Sequence, residues 1–275
     1  MDKKHSIGIF DSGFGGLTVF RSIATELPDY NYIYLGDNAR APYGDRSFET
    51  VYQYTLECVE WLFSQGCQLV ILACNTASAK ALRSIQQNVL PDKYPNNRVL
   101  GVIRPTAETI GDYTKNRRIG IMGTRGTVNS KSYVIEIGKF YPDVSVYQQS
   151  CPMWVPLIEN NEHTGLGADF FVEKYVNELL AMDHQLDCIL LACTHYPLLV
   201  PKIKSFLPAG INLVGQGQIV AKSLAKYLDN HPEIEANISK ERDKKFFTSG
   251  DVSAFETQAS VFFGEKILAS HINLI

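Results

Sequence analysis

Cys74 and Cys193 sit in near-copies of one local context, Val70-Ile71-Leu72-Ala73-Cys74-Asn75-Thr76 and Cys188-Ile189-Leu190-Leu191-Ala192-Cys193-Thr194. Each reads as a short buried strand, an Ala-Cys step, a polar turn carrying threonine, and a helix. A looser echo precedes each, Ile7-Gly8-Ile9-Phe10-Asp11-Ser12-Gly13 and Ile119-Gly120-Ile121-Met122-Gly123-Thr124-Arg125. Ile7 and Ile119 are 112 positions apart and the cysteines 119, the spacing of a duplicated α/β unit with one cysteine per copy. One thiolate served by one base suits acyl transfer. Two equivalent thiols suit inversion of a stereocentre: one removes the proton from one face of a carbon, the other delivers a proton to the opposite face, and the reverse reaction exchanges the roles. A free thiol, with a pKa of about 8.5, is little ionised at neutral pH, so each needs a helper. Asp11 on the Cys74 side and His195 beside Cys193 are the candidates, the imidazole as a proton relay.

Each residue also has a plainer reading. A cysteine at a strand end is most often an inert small hydrophobe, and His195 before Pro197 fits a hydrogen-bonded loop histidine. The recurrence of the cysteine context, with Asn75, Thr76 and Thr194 able to hold a carboxylate, favours function over packing. Asp37 on one side, and Glu159 in Cys151-Pro152-Met153-Trp154-Val155-Pro156-Leu157-Ile158-Glu159 on the other, are supporting acids or ordinary surface charges. The glycines of Asp11-Ser12-Gly13-Phe14-Gly15-Gly16 miss the G-x-G-x-x-G spacing, and the loop has no P-loop lysine. It is either a tight loop offering amides to a small anion or a turn in which Asp11 or Ser12 caps a helix.

The elements that must position these loops are short apolar runs alternating with amphipathic stretches, the pattern of an α/β protein with mostly parallel sheets flanked by helices. Strands are expected at Ile7 to Phe10, Tyr32 to Leu35, Leu69 to Ala73, Val99 to Ile103, Arg118 to Met122, Val144 to Tyr147, Cys188 to Leu191, Ile211 to Val214 and Lys245 to Phe247. Helices are expected between them, including Ala77 to Asn88, Thr106 to Tyr113 and Thr127 to Phe140. Polar, proline-bearing links near residues 90–97 and 207–210 divide the chain into 1–98 plus 212–275, carrying Asp11 and Cys74, and 99–211, carrying Cys193 and His195. The cysteine loops would then face each other across a cleft. The charged stretch Asp229 to Lys245 reads as a surface excursion.

At 275 residues, 45% hydrophobic and 20% charged, the chain has the composition of a globular protein with a substantial core. A net charge of −3 supplies no broad cationic face for nucleic acid or anionic lipid. Six cysteines without a C-x-x-C pair match neither a disulfide framework nor a zinc ribbon. The N-terminus runs into strand-like residues too soon for a signal peptide, and no apolar run reaches membrane-spanning length, so the expected location is cytoplasmic.

Asp11-Ser12-Gly13, Pro42-Tyr43-Gly44, Ala73-Cys74-Asn75-Thr76-Ala77 and Cys193-Thr194-His195-Tyr196-Pro197 closely resemble, in order and spacing, segments of the glutamate racemases of the cofactor-independent aspartate/glutamate racemase superfamily. The resemblance continues through Phe246-Phe247-Thr248-Ser249-Gly250-Asp251. It implies two pseudosymmetric α/β domains with the active site in the cleft between them. It also implies Cys74 and Cys193 as acid/base thiols, assisted by Asp11 and His195. Ser12, Pro42, Tyr43, Gly44, Asn75, Thr76, Thr124 and Thr194 match substrate-binding positions of the family, and Asp37 and Glu159 match acids near its site. Further implications are glutamate as substrate, neither pyridoxal phosphate nor metal as cofactor, a homodimer, and supply of D-glutamate for peptidoglycan. By the pairing of thiols with helpers, Cys74 would act on D-glutamate and Cys193 on L-glutamate. Two places depart from the pattern: Arg104 stands where many relatives carry glutamate, and Gly215-Gln216-Gly217 replaces a common Asp-Ser-Gly. Neither is expected to touch the cysteine pair.

Overall fold

A computed structural model describes residues 5–274; the Met1–Lys4 segment, read above as too short for a leader, lies outside them. Among the described residues ten strands form two fully parallel sheets, β1 (Ile7–Asp11), β2 (Tyr32–Gly36), β3 (Leu69–Leu72), β4 (Arg98–Gly101), β9 (Lys244–Thr248) and β10 (Ala269–His271) in one, and β5 (Arg118–Gly123), β6 (Ser145–Ser150), β7 (Cys188–Ala192) and β8 (Asn212–Val214) in the other. The first runs β10-β9-β2-β1-β3-β4 and the second β6-β5-β7-β8, so the order second-first-third-fourth occurs in both. The register repeats as well: Ile7 pairs with Leu69 and Ile119 with Cys188, which gives the duplication seen in the sequence its spatial form.

Helices cover both faces of each sheet, which is why β1, β2, β3 and β7 are buried along their length instead of alternating. The edge strands β6 and β8 are partly exposed. Behind the first sheet Phe20 packs against Tyr32, Tyr34, Phe246 and Phe263 at centroid distances of 5.1–5.9 Å, pairs worth about 0.5–1.5 kcal/mol each beyond the area they bury. Helix Gly217–Asn230 follows the second sheet in sequence yet packs on helix Gly16–Glu26 of the first. The terminal segment thereby returns to the first unit.

Strand β4 belongs to the first sheet and β8 to the second. The division expected at 98/99 falls within β4, after its first residue, and the one at 211/212 falls just before β8, whereas the chain changes sheet only after each of these strands. Two helices differ from expectation for local reasons. The strand expected through Ile103 ends at Gly101, and helix Ile103–Ala107 begins there with Pro105 in its first turn, where a missing N–H costs no intrahelical bond. The remainder of that expected helix is a 3₁₀ turn, Ile110–Tyr113. Lys131, at φ 55°, breaks the stretch from Thr127 to Phe140 into Arg125–Asn129 and Ser132–Phe140. The Asp229 to Lys245 excursion is anchored: Ile234 and Ile238 are buried, and His5 exchanges backbone bonds with Asn237 and Ser239 at 2.9 and 2.8 Å. No helix among the described residues is long and apolar enough to cross a membrane.

Candidate active site

In each sheet the strand order reverses beside the first strand, between β1 and β3 and between β5 and β7, the point where loops diverge and leave a crevice at the carboxyl ends. Asp11 ends β1 and Thr124 follows β5; Cys74 follows β3 and Cys193 follows β7. Both crevices open into one cavity of about 60 Å³. Its wall from the first sheet includes Ser12, Cys74, Asn75, Thr76 and the Pro42-Tyr43-Gly44 turn, and its wall from the second includes Thr124, Glu159, Cys193, Thr194 and His195. The two sequence-matched cysteines thus share a cavity, one from each half. Asp11 and Asp37 are fully buried behind it and do not line it.

The proton inventories of the two halves differ. Cys74 caps helix Asn75–Lys80, its sulfur 3.5 Å from the Ala77 N–H and 3.4 Å from Ser12 Oγ. Burial, reinforced by the Asp11 carboxylate, pushes this thiol up to about 12 against the lowering effect of those two contacts. Burial also raises Asp11, with partial relief from His195 and the N–H groups of Gly16 and Gly13, the latter at 3.0 Å. On the other side, His195 Nδ1 lies 3.9 Å from the Cys193 sulfur and Nε2 lies 3.0 Å from Glu159 Oε1. Burial pushes the imidazole down, but the Cys193 sulfur and the Glu159 carboxylate outweigh it and raise it to about 10. One half therefore holds a thiol and a carboxyl, and the other a sulfur next to an imidazolium, a donor and the electrostatic complement of a thiolate.

Glycine has a specific use in the first loop. A Cβ on Gly15 would overlap His195 Nδ1 and Thr194 Oγ1, and one on Gly16 would overlap the Asp11 side chain. The bare backbone lets the second unit's histidine close onto the first unit's helix. This, with Asp11 accepting from Gly13, explains a loop whose glycines fit no phosphate motif.

The remaining expected residues fall into two groups. Thr76 and Thr124 meet across the halves with Oγ1 atoms 2.9 Å apart, and Thr124 accepts from Thr127 N at 3.3 Å as a helix cap. Thr194 donates to Asp11 Oδ1 at 3.5 Å. Asp37, in contrast, acts behind the wall: its carboxylate accepts from Tyr43 Oη at 2.5 Å, Arg40 Nε at 2.7 Å and Ser249 Oγ at 2.6 Å. It clamps the Pro42-Tyr43-Gly44 turn, which reaches the other half through Gly126 N donating to Gly44 O at 2.8 Å. Arg104 is exposed, pairs with Glu108 at 2.8 Å and is absent from the cavity wall. Gln216 is buried against Asn75, at 2.7 Å. Sequence reasoning noted it as a departure but did not place it. It also missed Tyr133, which donates to Asn75 Oδ1 at 2.6 Å and whose isolated position in an amphipathic helix carries no local mark.

A family model described as Asp/Glu/Hydantoin racemase matches residues 7–224. The chain is 39% identical over 270 residues to the glutamate racemase of Persephonella marina, covering 98% of this chain and 97% of that protein. Among solved structures it is similar to a glutamate racemase isoform from Bacillus anthracis, with a TM-score of 0.89 and 33% identity over 99% and 98% of the two chains. The glutamate racemase of Francisella tularensis in complex with D-glutamate has a TM-score of 0.85 and 27% identity over 100% and 98%.

Proposed function

The chain belongs to the Asp/Glu/Hydantoin racemase family, and on that premise we propose that it is a glutamate racemase interconverting L- and D-glutamate by two-base transfer of the Cα proton. The observation that carries this reading is the pair of thiols, Cys74 and Cys193, lining one cavity from separate sheets with different helpers. Starting from L-glutamate, Cys193 as thiolate takes the Cα proton while His195, held by Glu159, offsets the negative charge. The resulting carbanion is planar at Cα, and the Cys74 thiol protonates its other face. The Cys74 thiolate then formed has Asp11 buried behind the cavity wall beside it, the group we assign as its proton relay. The reverse direction uses the same groups in opposite order. Ser12, Thr76, Thr124, Thr194 and the turn at Pro42, Tyr43 and Gly44 present the hydroxyls and amides that hold the two carboxylates, and Asn75 adds a side-chain amide.

As the resemblance implies, the reaction is taken to need neither pyridoxal phosphate nor metal, with the chain acting in the cytoplasm as a homodimer that supplies D-glutamate for peptidoglycan. Light scattering on the purified protein tests the dimer, and exhaustive dialysis against chelator tests metal independence. The activity itself is tested by incubating L- or D-glutamate with the protein in heavy water. Loss of circular dichroism together with deuterium at Cα is expected; no label at Cα rejects the assignment.

A further inference from the structure

Asn75 follows Cys74, and its side-chain amide is gripped from behind the cavity. Asn75 Nδ2 donates to Gln216 Oε1 at 2.7 Å, and Tyr133 Oη donates to Asn75 Oδ1 at 2.6 Å. Gln216 Nε2 in turn donates to Tyr133 Oη at 2.5 Å and to Thr106 Oγ1 at 3.0 Å. Gln216, Tyr133 and Asn75 therefore close a ring of donors and acceptors, and all three side chains are buried.

We infer that Gln216 and Tyr133 are positioning residues that fix the Asn75 amide in one of its two flips and present its remaining N–H to the substrate in the cavity. An amide carries two N–H donors and one acceptor oxygen, so its orientation is set by its neighbours. Gln216 Nε2 faces only acceptors on its far side, Thr106 Oγ1 and, at 3.4 Å, the Val102 carbonyl, while Thr106 Oγ1 spends its own proton on that carbonyl at 2.7 Å. With its nitrogen held there, Gln216 must offer its oxygen to Asn75. Tyr133 accepts from Gln216 and so points its single proton at Asn75 Oδ1. Burial raises the Tyr133 pKa well beyond its usual range, so that proton is always in place. Asn75 is left with one donor satisfied by Gln216 and one free, on a residue that lines the cavity. A flipped Asn75 would set oxygen against oxygen at Gln216 and donor against donor at Tyr133. The ring also ties the first unit, through Asn75, to the second, through Tyr133 and Thr106, so it sets where the amide stands relative to Cys193.

The inference rests on the glutamate racemase reading, so the wild-type protein is first shown to exchange the Cα proton of glutamate; its failure there would reject the activity, not the ring. Gln216→Leu and Tyr133→Phe are then each measured alone and in an Asn75→Ala background, with kcat and KM for both enantiomers. Each single variant is expected to lower kcat/KM by about tenfold through a raised KM, the scale of one misdirected hydrogen bond. In the Asn75→Ala background neither is expected to add a further loss, because the group they orient is gone. Full kcat/KM in folded Tyr133→Phe, or equal losses with and without Asn75, would overturn the inference. Tyr133→Phe removes a single hydroxyl and keeps the test decisive if Gln216→Leu does not fold.

Discussion

Glu159→Gln tests the electrostatic argument for the Cys193 half. The substitution keeps the size of the side chain and an oxygen acceptor for His195 Nε2, now 3.0 Å from Glu159 Oε1, but removes the negative charge. Glu159 is 22% exposed and His195 6%, so solvent screening is modest. A hydrogen bond with a charged partner contributes about 1.5–3 kcal/mol, and about 1.36 kcal/mol is one pKa unit, so the full interaction corresponds to roughly one to two units. Because glutamine still accepts a bond and Cys193 is untouched, the lower end applies, about one unit. The sign follows from the raised imidazole, which is cationic until pH rises through about 10. If the cation assists the Cys193 thiolate, activity is present below that pH and lost above it, and removing Glu159 moves this alkaline limb to lower pH. The assay is kcat/KM against pH. The enantiomers have equal free energies in water, so kcat/KM must be the same in both directions at every pH, which provides an internal control. An alkaline limb that stays in place in the folded variant, or moves upward, refutes the role given to Glu159 and His195.

Replacing either cysteine by serine should lower kcat/KM by about 10²–10⁴-fold equally in both directions, the usual loss for a general acid or base. Heavy water should separate the variants: Cys74→Ser is expected to keep label exchange into L-glutamate without inversion, and Cys193→Ser into D-glutamate, whereas near-normal racemisation by either rejects the two-base scheme. Gly15→Ala places a methyl into His195 and Thr194, so we expect a folded protein, by far-ultraviolet circular dichroism, with activity reduced as far as by loss of His195 itself. Asp37→Ala strips a fully buried carboxylate from Arg40, Tyr43 and Ser249; because Arg40 keeps Glu57, the cost should be near about 3 kcal/mol, read as a lowered urea midpoint with KM raised by loosening of the Tyr43 turn. An unchanged midpoint would show that the clamp does not stabilise the fold.

The sequence by itself determined the duplicated unit, the parallel sheets and the residues at the strand ends, because those follow from local patterns: apolar runs of strand length, polar turns after them and a fixed spacing between copies. It also marked Cys74, Cys193, Asp11 and His195, since each lies at the end of a recognisable run. It placed helix ends less well where one residue's backbone decides, as at Pro105 and Lys131. Only the tertiary structure decided how the two halves unite. Gly15 against His195, Thr76 against Thr124, Asp37 behind Tyr43, and Gln216 with Tyr133 around Asn75 are contacts between residues far apart in the chain. The strengths of these contacts, and the raised pKa values of the Cys74 thiol and the His195 imidazole, depend on burial and on distances of a few ångströms that no local pattern encodes. Two similar sequence contexts became chemically unlike because one folds against a buried carboxyl and the other against an imidazole held by a carboxylate.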